Sequence, residues 1–316
     1  MSKLEDLEHF YTKDLREPLL CFDRTRKVIQ WKTGVQAVAL VPFNVMVFLV
    51  MDGNEKSLAA FTTVGSLVWL AYFMLSREIR WAKDFKTTII PRLLERIEPS
   101  LDYSPEGQID SRVFHQSCLY EFSQMYDYDG EDLVTGNLAG MSVSFCELRV
   151  TSGGSKNGTT THFRGMFLVA QVKIEIDDPV WLLPPDYVRR KDKLGLTGRM
   201  LSGVLDRMNQ REGEKITIED EEFMKCYSVV TEKEDAAARI LSKDLRQKLI
   251  DLQSRSGKEV RVSFQNNQIA VALSTDGGHF EPHLTESALS YKVARRFAED
   301  VSHALRVILA IGPVAR

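Results

Sequence analysis

No two cysteines in this sequence stand close enough to make a C-x-x-C pair. Cys21, Cys118, Cys146 and Cys226 are scattered along 316 residues, which argues against a zinc ribbon or disulfide scaffold and fits free thiols in a reducing compartment. Net positive charge is also missing: 41 Lys and Arg stand against 44 Asp and Glu, a formal −3. No nucleic-acid partner is expected from that balance. The opening "MSKLEDLEHFYTKDLREPLL" is charged throughout and lacks the apolar core of a signal peptide. There is no G-x-S-x-G elbow, H-E-x-x-H, P-loop lysine motif or G-x-G-x-x-G, so no familiar reaction machinery announces itself. No repeat or low-complexity tract stands out.

The most informative absence is of charge in two stretches. "TGVQAVALVPFNVMVFLVM" (Thr33–Met51) and "SLAAFTTVGSLVWLAYFML" (Ser57–Leu75) contain no charged residue. Each is about 28 Å long as a helix, matching a hydrocarbon layer of about 30 Å. Helix is the form that satisfies the backbone in lipid. The short polar turn "DGNEKS" (Asp52–Ser57) makes the two run antiparallel. Arg24, Arg26, Lys27 and Lys32 precede the first stretch and Arg77, Arg80, Lys83 and Lys86 follow the second, while the turn offers only Lys56. The positive-inside rule then predicts a multi-pass protein with both termini in the cytoplasm. Trp31, Trp69, Tyr72 and Trp81 are expected near the cytoplasmic boundary. Gln36, Asn44, Thr62 and Thr63 are polar positions inside the spans; they either hydrogen-bond helix to helix or, in an oligomer, line a path.

The rest predicts an α+β fold: an N-terminal two-helix transmembrane hairpin followed by a cytoplasmic domain with antiparallel sheet and packed helices. The expected divisions are a cytoplasmic helix over 1–30 that Pro18 interrupts or kinks, the hairpin over 31–76 (33–51 and 57–75), a juxtamembrane helix and linker over 77–110, and the α+β domain over 111–316. "SRVFHQSCLYEFSQM" has helical spacing. "MSVSFCELRVT" alternates at Val143 and Phe145 and then shifts parity to Leu148 and Val150, which suggests a bulge. "THFRGMFLVAQVKIEI" reads as the returning strand after the loop Ser152–Gly158, and "KCYSVVT" as another strand. "AARILSKDLRQKLIDLQSRSG" reads as one helix ended by Gly257. "KEVRVSFQNNQIAVALST" reads as a hairpin turning at Asn266–Asn267, and Val293, Phe297, Val301, Leu305 and Ile308 mark a final amphipathic helix.

Candidate chemistry centres on "YDYDGEDLVTG" (Tyr126–Gly136). As an EF-hand loop it fails, because the twelfth position from Asp127 is Leu138 where a bidentate Glu is needed. Glu131 and Asp132 are adjacent and on a strand point to opposite faces, so the expected role is a turn at Asp129–Gly130 with a second bend at Gly136. Glu131, Asp132 and Glu147 remain candidates for a polar ligand or partner surface, and Arg189, Arg190 and Lys191 for contact with anionic headgroups. In "HFEPH" (His279–His283) Pro282 blocks the helical i, i+4 arrangement used by zinc sites. Cys146 reads as a buried small apolar residue. No catalytic residue, metal or cofactor is assigned.

These motifs together resemble a bacterial family known as domain of unknown function 3137. The resemblance rests on "YDYDGEDLVTGNLAGMSVSFCEL", "FRGMFLVAQVKI", "AARILSKDLRQKLIDL" and "VRVSFQNNQIAVAL", over about 90–311, and extends to the N-terminal hairpin. Gln171 stands where the resemblance implies an acidic residue. What it implies is a cytoplasmic domain anchored in the bacterial inner membrane, with a LemA-like membrane protein as partner; it implies no activity. The expected role is a membrane-anchored binding or scaffold protein, its partners the bilayer, that LemA-like protein or further copies of itself. The alternatives are a membrane-proximal enzyme of unrecognised type acting on a lipid or small ligand, and an oligomeric channel or transporter subunit.

Overall fold

A computed structural model of the chain describes residues 2–50, 56–120, 127–153, 158–172, 176, 178–187, 213–275 and 282–311. The chain divides into two compact units, Met1–Ile97 with His279–Glu299, and Glu98–Gly278 with Asp300–Arg316.

The first unit is helical. Helix α1 (Ser2–Lys13) gives way at Asp14–Leu15 to α2 (Arg16–Val50), and α3 (Lys56–Ile97) follows. The interruption falls just before Pro18, which occupies the first turn of α2; there its missing N–H costs no helical bond. Pro42 and Pro91 lie inside α2 and α3, which run on through them. Leu7 and Tyr11 on α1, Leu15 at the break and Leu19 on α2 are buried, and Trp81, Phe85, Ile89 and Leu93 are buried at intervals of four on α3, a spacing that puts the α3 set on one helix face. The two long helices pack antiparallel. Phe22 lies 5.5 Å from Phe85 ring to ring, Trp81 Nε1 donates to Phe22 O at 3.1 Å, and Asn44 Nδ2 donates to Ser66 Oγ at 3.0 Å. Residues 51–55, most of the predicted turn, lie outside the described residues. Among the described residues one helix, α2, is long and apolar enough by length and composition to cross a membrane.

The second unit is a nine-stranded antiparallel sheet, counted over the described residues, in the order β1-β2-β3-β4-β9-β8-β5-β7-β6. The strands are β1 (Leu101–Ser104), β2 (Asp127–Leu138), β3 (Met141–Ser152), β4 (Thr160–Gln171), β5 (Val180–Leu183), β6 (Glu214–Ile216), β7 (Ser228–Thr231), β8 (Val260–Gln265) and β9 (Gln268–Ser274). Both faces are apolar. Cys146, Leu148 and Val150 on β3 join Phe163, Phe167 and Trp181 in one buried cluster with Phe114, while Phe145 and Leu168, cross-strand partners, are buried as well. That explains the parity shift in "MSVSFCELRVT". Two-sided burial lets apolar residues occupy odd and even positions. The irregularities sit in the partner strands: Glu131 pairs with Glu147 and Val134 with Phe145, so β2 carries one extra residue, and Val150 pairs with Phe163 and Thr151 with Thr161, so β4 carries one as well.

Short helices punctuate the unit. Helix α4 (Ser111–Gln116) is shorter than the predicted segment, and β5 was not expected at all. Then come α5 (Glu221–Cys226), α6 (Glu234–Ile240) and α7 (Lys243–Ser256). The single helix predicted after Ala236 is therefore two. Ser242 breaks it because its side chain accepts from Leu245 N and caps the start of α7, an arrangement that favours a new helix over continuing the old one. Gly257 ends α7 at φ 63°, a left-handed cap that suits glycine. The hairpin of β8 and β9 turns at Asn266 and Asn267, φ 51° and 58°, the backbone of a type I′ turn. The last helix is α8 (Tyr291–Ile311).

Candidate functional site

The carboxylates of "YDYDGEDLVTG" do not form a turn. Asp129 and Gly130 lie inside β2, paired with Arg149 and Leu148, and Gly136 is paired in the strand to Leu101 and Val143. A Cβ on Gly136 would meet Ser100 O at 2.1 Å, so the glycine admits a close approach of the neighbouring backbone. The distortion falls at Asp132, whose φ is 60° and which supplies the extra residue of the bulge.

The expectation that Glu131 and Asp132 diverge fits their environments. Asp132 is fully buried, while Glu131 is half-buried and directly across from the half-buried Glu147. Tyr103 Oη donates to Asp132 Oδ1, and Asp132 N donates to Pro105 O at 3.0 Å. Burial, then the Asp132 charge, raises the Tyr103 phenol above its ordinary range, so it stays a proton donor. Burial likewise pushes the Cys146 thiol up to about 12, with Asp132 and Glu147 adding to the rise; a thiol held protonated is a poor nucleophile. Tyr128 Oη donates to Ile109 O at 2.8 Å nearby. Asp132 and Cys146 are buried and Tyr103 and Tyr128 half-buried in this polar cluster at the bulge. Tyr103 was not foreseen; its place two residues into β1, opposite Val134, is set by strand register. Arg189, Arg190 and Lys191 lie outside the described residues, as do His279 and Glu281. Among the described residues no group of three or more His, Cys, Asp or Glu is placed to hold a metal.

Two grooves are lined by other residues. In the second unit a cavity of about 250 Å³ lies between α7 and α8, with Lys248, Asp251, Arg255, His303 and Arg306 around Leu252 and Val307. Lys248 is already paired with Asp244 at 2.7 Å. Burial, then the neighbouring Arg306, holds His303 below its ordinary range.

The first unit has a larger groove, about 660 Å³, between the stretch of α2 from Cys21 to Lys32 and that of α3 from Arg77 to Asp84. Beside it a carboxylate anchors the returning chain. Asp23, 3% exposed, accepts from Arg26 Nε at 3.0 Å and Ser287 Oγ at 2.8 Å and pairs with Lys27 at 2.9 Å. Burial alone would raise its pKa, but the bonds from Lys27, Ser287 and Arg26 outweigh it and hold Asp23 at about 2. Arg26 and Gln30 both donate to Leu284 O, at 3.0 and 2.7 Å, and Leu284 N donates to Glu78 Oε1 at 3.2 Å. The Tyr11 hydroxyl donates to Ala288 O. Residues 284–288 are thus fastened to α1, α2 and α3. The sequence signal for this clamp was the charge cluster before the first apolar stretch, read only as topology.

No curated protein matches the chain. The crystal structure of the mycobacterial trehalose monomycolate transport factor A, TtfA, is similar at a TM-score of 0.31 and 11% identity, covering 64% of this chain and 88% of that one. A family model matches residues 161–311, from the start of β4 to the end of α8 and so including three of the four motifs above; the first, "YDYDGEDLVTGNLAGMSVSFCEL", precedes it. Over residues 161–311 the chain is similar to the family described as Protein of unknown function (DUF3137).

Proposed function

We propose that this protein is a membrane-anchored binding or scaffold protein. In this reading α2 and α3 cross the bacterial inner membrane as a hairpin, with both termini cytoplasmic and the sheet-bearing unit serving as the binding module. The observation that carries it is the exposure of apolar side chains on both helices. Val38 is 72% exposed, Leu49 76%, Phe61 75% and Tyr72 71%, whereas Trp81, one turn beyond Arg77, is 3%. A continuous apolar surface of this extent is not left to water, and its limits coincide with the basic residues on both helices. The Asn44–Ser66 bond supports a tether whose polar residues serve helix packing rather than a lined path.

The partner is another membrane protein, a LemA-like one being the candidate that the family resemblance supplies, or a second copy of this chain. Glu131 and Glu147, half-buried on β2 and β3, offer a polar patch for it. An enzymatic reading finds less support, since Asp132 and Cys146 are buried. The test is purification in mild detergent followed by mass spectrometry and sizing. A defined membrane partner or a homo-oligomer is expected; recovery of the chain alone as a monomer overturns the binding reading. Digestion beyond Arg77 by protease added outside intact cells overturns the orientation.

A further inference from the structure

The basic residues flanking the apolar stretches are not evenly used. Arg26 and Lys27 are committed to Asp23. Arg24, Lys32, Arg77 and Arg80 instead line the 660 Å³ groove, with Asp84 as its one carboxylate. Four cations against one anion leave a net charge of +3. Among the described residues, Arg24 and Lys32 have no ion pair or side-chain hydrogen bond; Arg77 lies 3.7 Å over the Phe73 ring, and Arg80 Nε donates to Ser76 O at 3.0 Å. The spacing explains the convergence. Arg24, Val28 and Lys32 recur every four residues, and Arg77, Arg80 and Asp84 at three and four, so each set forms one stripe along its helix. Phe22, Ile29 and Trp81, with Val28 inside the first stripe, supply apolar walls.

We propose that this groove binds the headgroup of an anionic glycerophospholipid. The inference rests on the hairpin reading above, which puts Lys32 and Arg77 at the edge of the hydrocarbon layer. From Lys32 back to Arg24 is about 12 Å of helix, enough to cross the headgroup layer of about 6 Å per leaflet. Arg77 and Arg80 offer donors suited to phosphate oxygens and Lys32 a point charge beside them. The walls of Val28 and Ile29 continue into the exposed apolar surface of α2, where acyl chains lie. Charge complementarity selects the occupant: a zwitterionic headgroup brings its own cation into a groove with an excess of three. A basic pocket between membrane helices on the cytoplasmic side is a recognised form of anionic-lipid site.

The experiment uses the full chain in mild detergent with equimolar phosphatidylglycerol and phosphatidylcholine, counting retained lipids by native mass spectrometry. Wild type is expected to retain phosphatidylglycerol preferentially. The Arg24→Gln/Arg80→Gln double variant should lose about thirtyfold in that affinity, while Arg16→Gln/Arg92→Gln, which removes equal charge from exposed positions off the groove, keeps it. Equal retention of the two lipids, or equal loss in both double variants, overturns the proposal. Alkaline carbonate extraction of membranes is run in parallel. Release of the wild type overturns the anchor and the lipid site with it; a wild type that stays in the membrane without headgroup preference overturns the lipid site alone.

Discussion

Phe61 and Phe167 are the same side chain in opposite surroundings. On α3 Phe61 is 75% exposed, and on β4 Phe167 is fully buried, 5.0 Å from Phe114 ring to ring. The second unit closes apolar residues in from both faces of its sheet. The first buries α2 from Leu19 to Arg26 and α3 beyond Arg77, and leaves one apolar flank of both helices between them exposed. Apolar composition alone therefore does not separate a core from a membrane surface; burial does. Truncation separates the two phenylalanines most visibly. Phe167→Ala should cost about 3–5 kcal/mol through lost transfer energy and a cavity, read as a lowered denaturant midpoint of the detergent-solubilised chain. Phe61→Ala should move the same midpoint by less than about 0.5 kcal/mol. Similar effects from the two would put Phe61 in a packed core and remove the basis for the hairpin.

Asp23 in the first unit and Asp132 in the second are both buried carboxylates, and these two are satisfied differently. Asp132 is held by the neutral hydroxyl of Tyr103 and by its place in the bulge; Asp23 is held by cations. Tyr103→Phe removes a hydrogen bond to a buried carboxyl group, and about 1.5–3 kcal/mol of stability should go with it. An unchanged thermal midpoint would mean that Asp132 draws its support from other neighbours. For Asp23 the contrast is in pH. Its pKa is lowered from 3.8 to about 2, so its contribution is complete above 3.8 and is lost as pH falls through 2. The contribution is about 1–2 kcal/mol. Wild type minus Asp23→Asn, measured at pH 6 and at pH 2, should show the gap shrinking on acidification. A gap constant in pH would mean that Asp23 acts by shape and not by charge.

What the sequence disclosed depended on how local the determining physics was. The Asn266–Asn267 hairpin, the cap at Gly257 and the final helix are written in turn chemistry and periodicity, and they stand where expected. The α+β class followed from the same signals. The turn expected at Asp129–Gly130 did not form, because pairing to β3 across twelve residues outweighs the turn preference of an Asp-Gly pair. Strand β5 was missed because four consecutive buried residues, Val180–Leu183, carry no alternation when both sheet faces are covered. Tyr103 as partner of Asp132, and residues 284–288 as the segment clamped by Asp23, Arg26 and Glu78, are separated from those residues by 29 to about 260 positions. No short-range pattern reports such pairs.

The hairpin turn gives the smallest and most local of these effects. Asn266 and Asn267 both take positive φ, and Asn267 O accepts from Val172 N at 2.8 Å, tying the residue after β4 to the turn. Asparagine tolerates the left-handed region and glycine enters it freely, while a β-branched residue does not. Asn266→Gly should therefore stay within about 0.5 kcal/mol of wild type, whereas Asn266→Val should cost about 1–2 kcal/mol and speed amide exchange at Gln265 and Gln268. Because β9 pairs with β4 and β8 with β5, that exchange should spread into both neighbours. The Asn44–Ser66 region of the first unit should be untouched. If the valine variant instead loosens α2 and α3 as much as the sheet, the two units share one cooperative transition and the contrast between them is one of surface only.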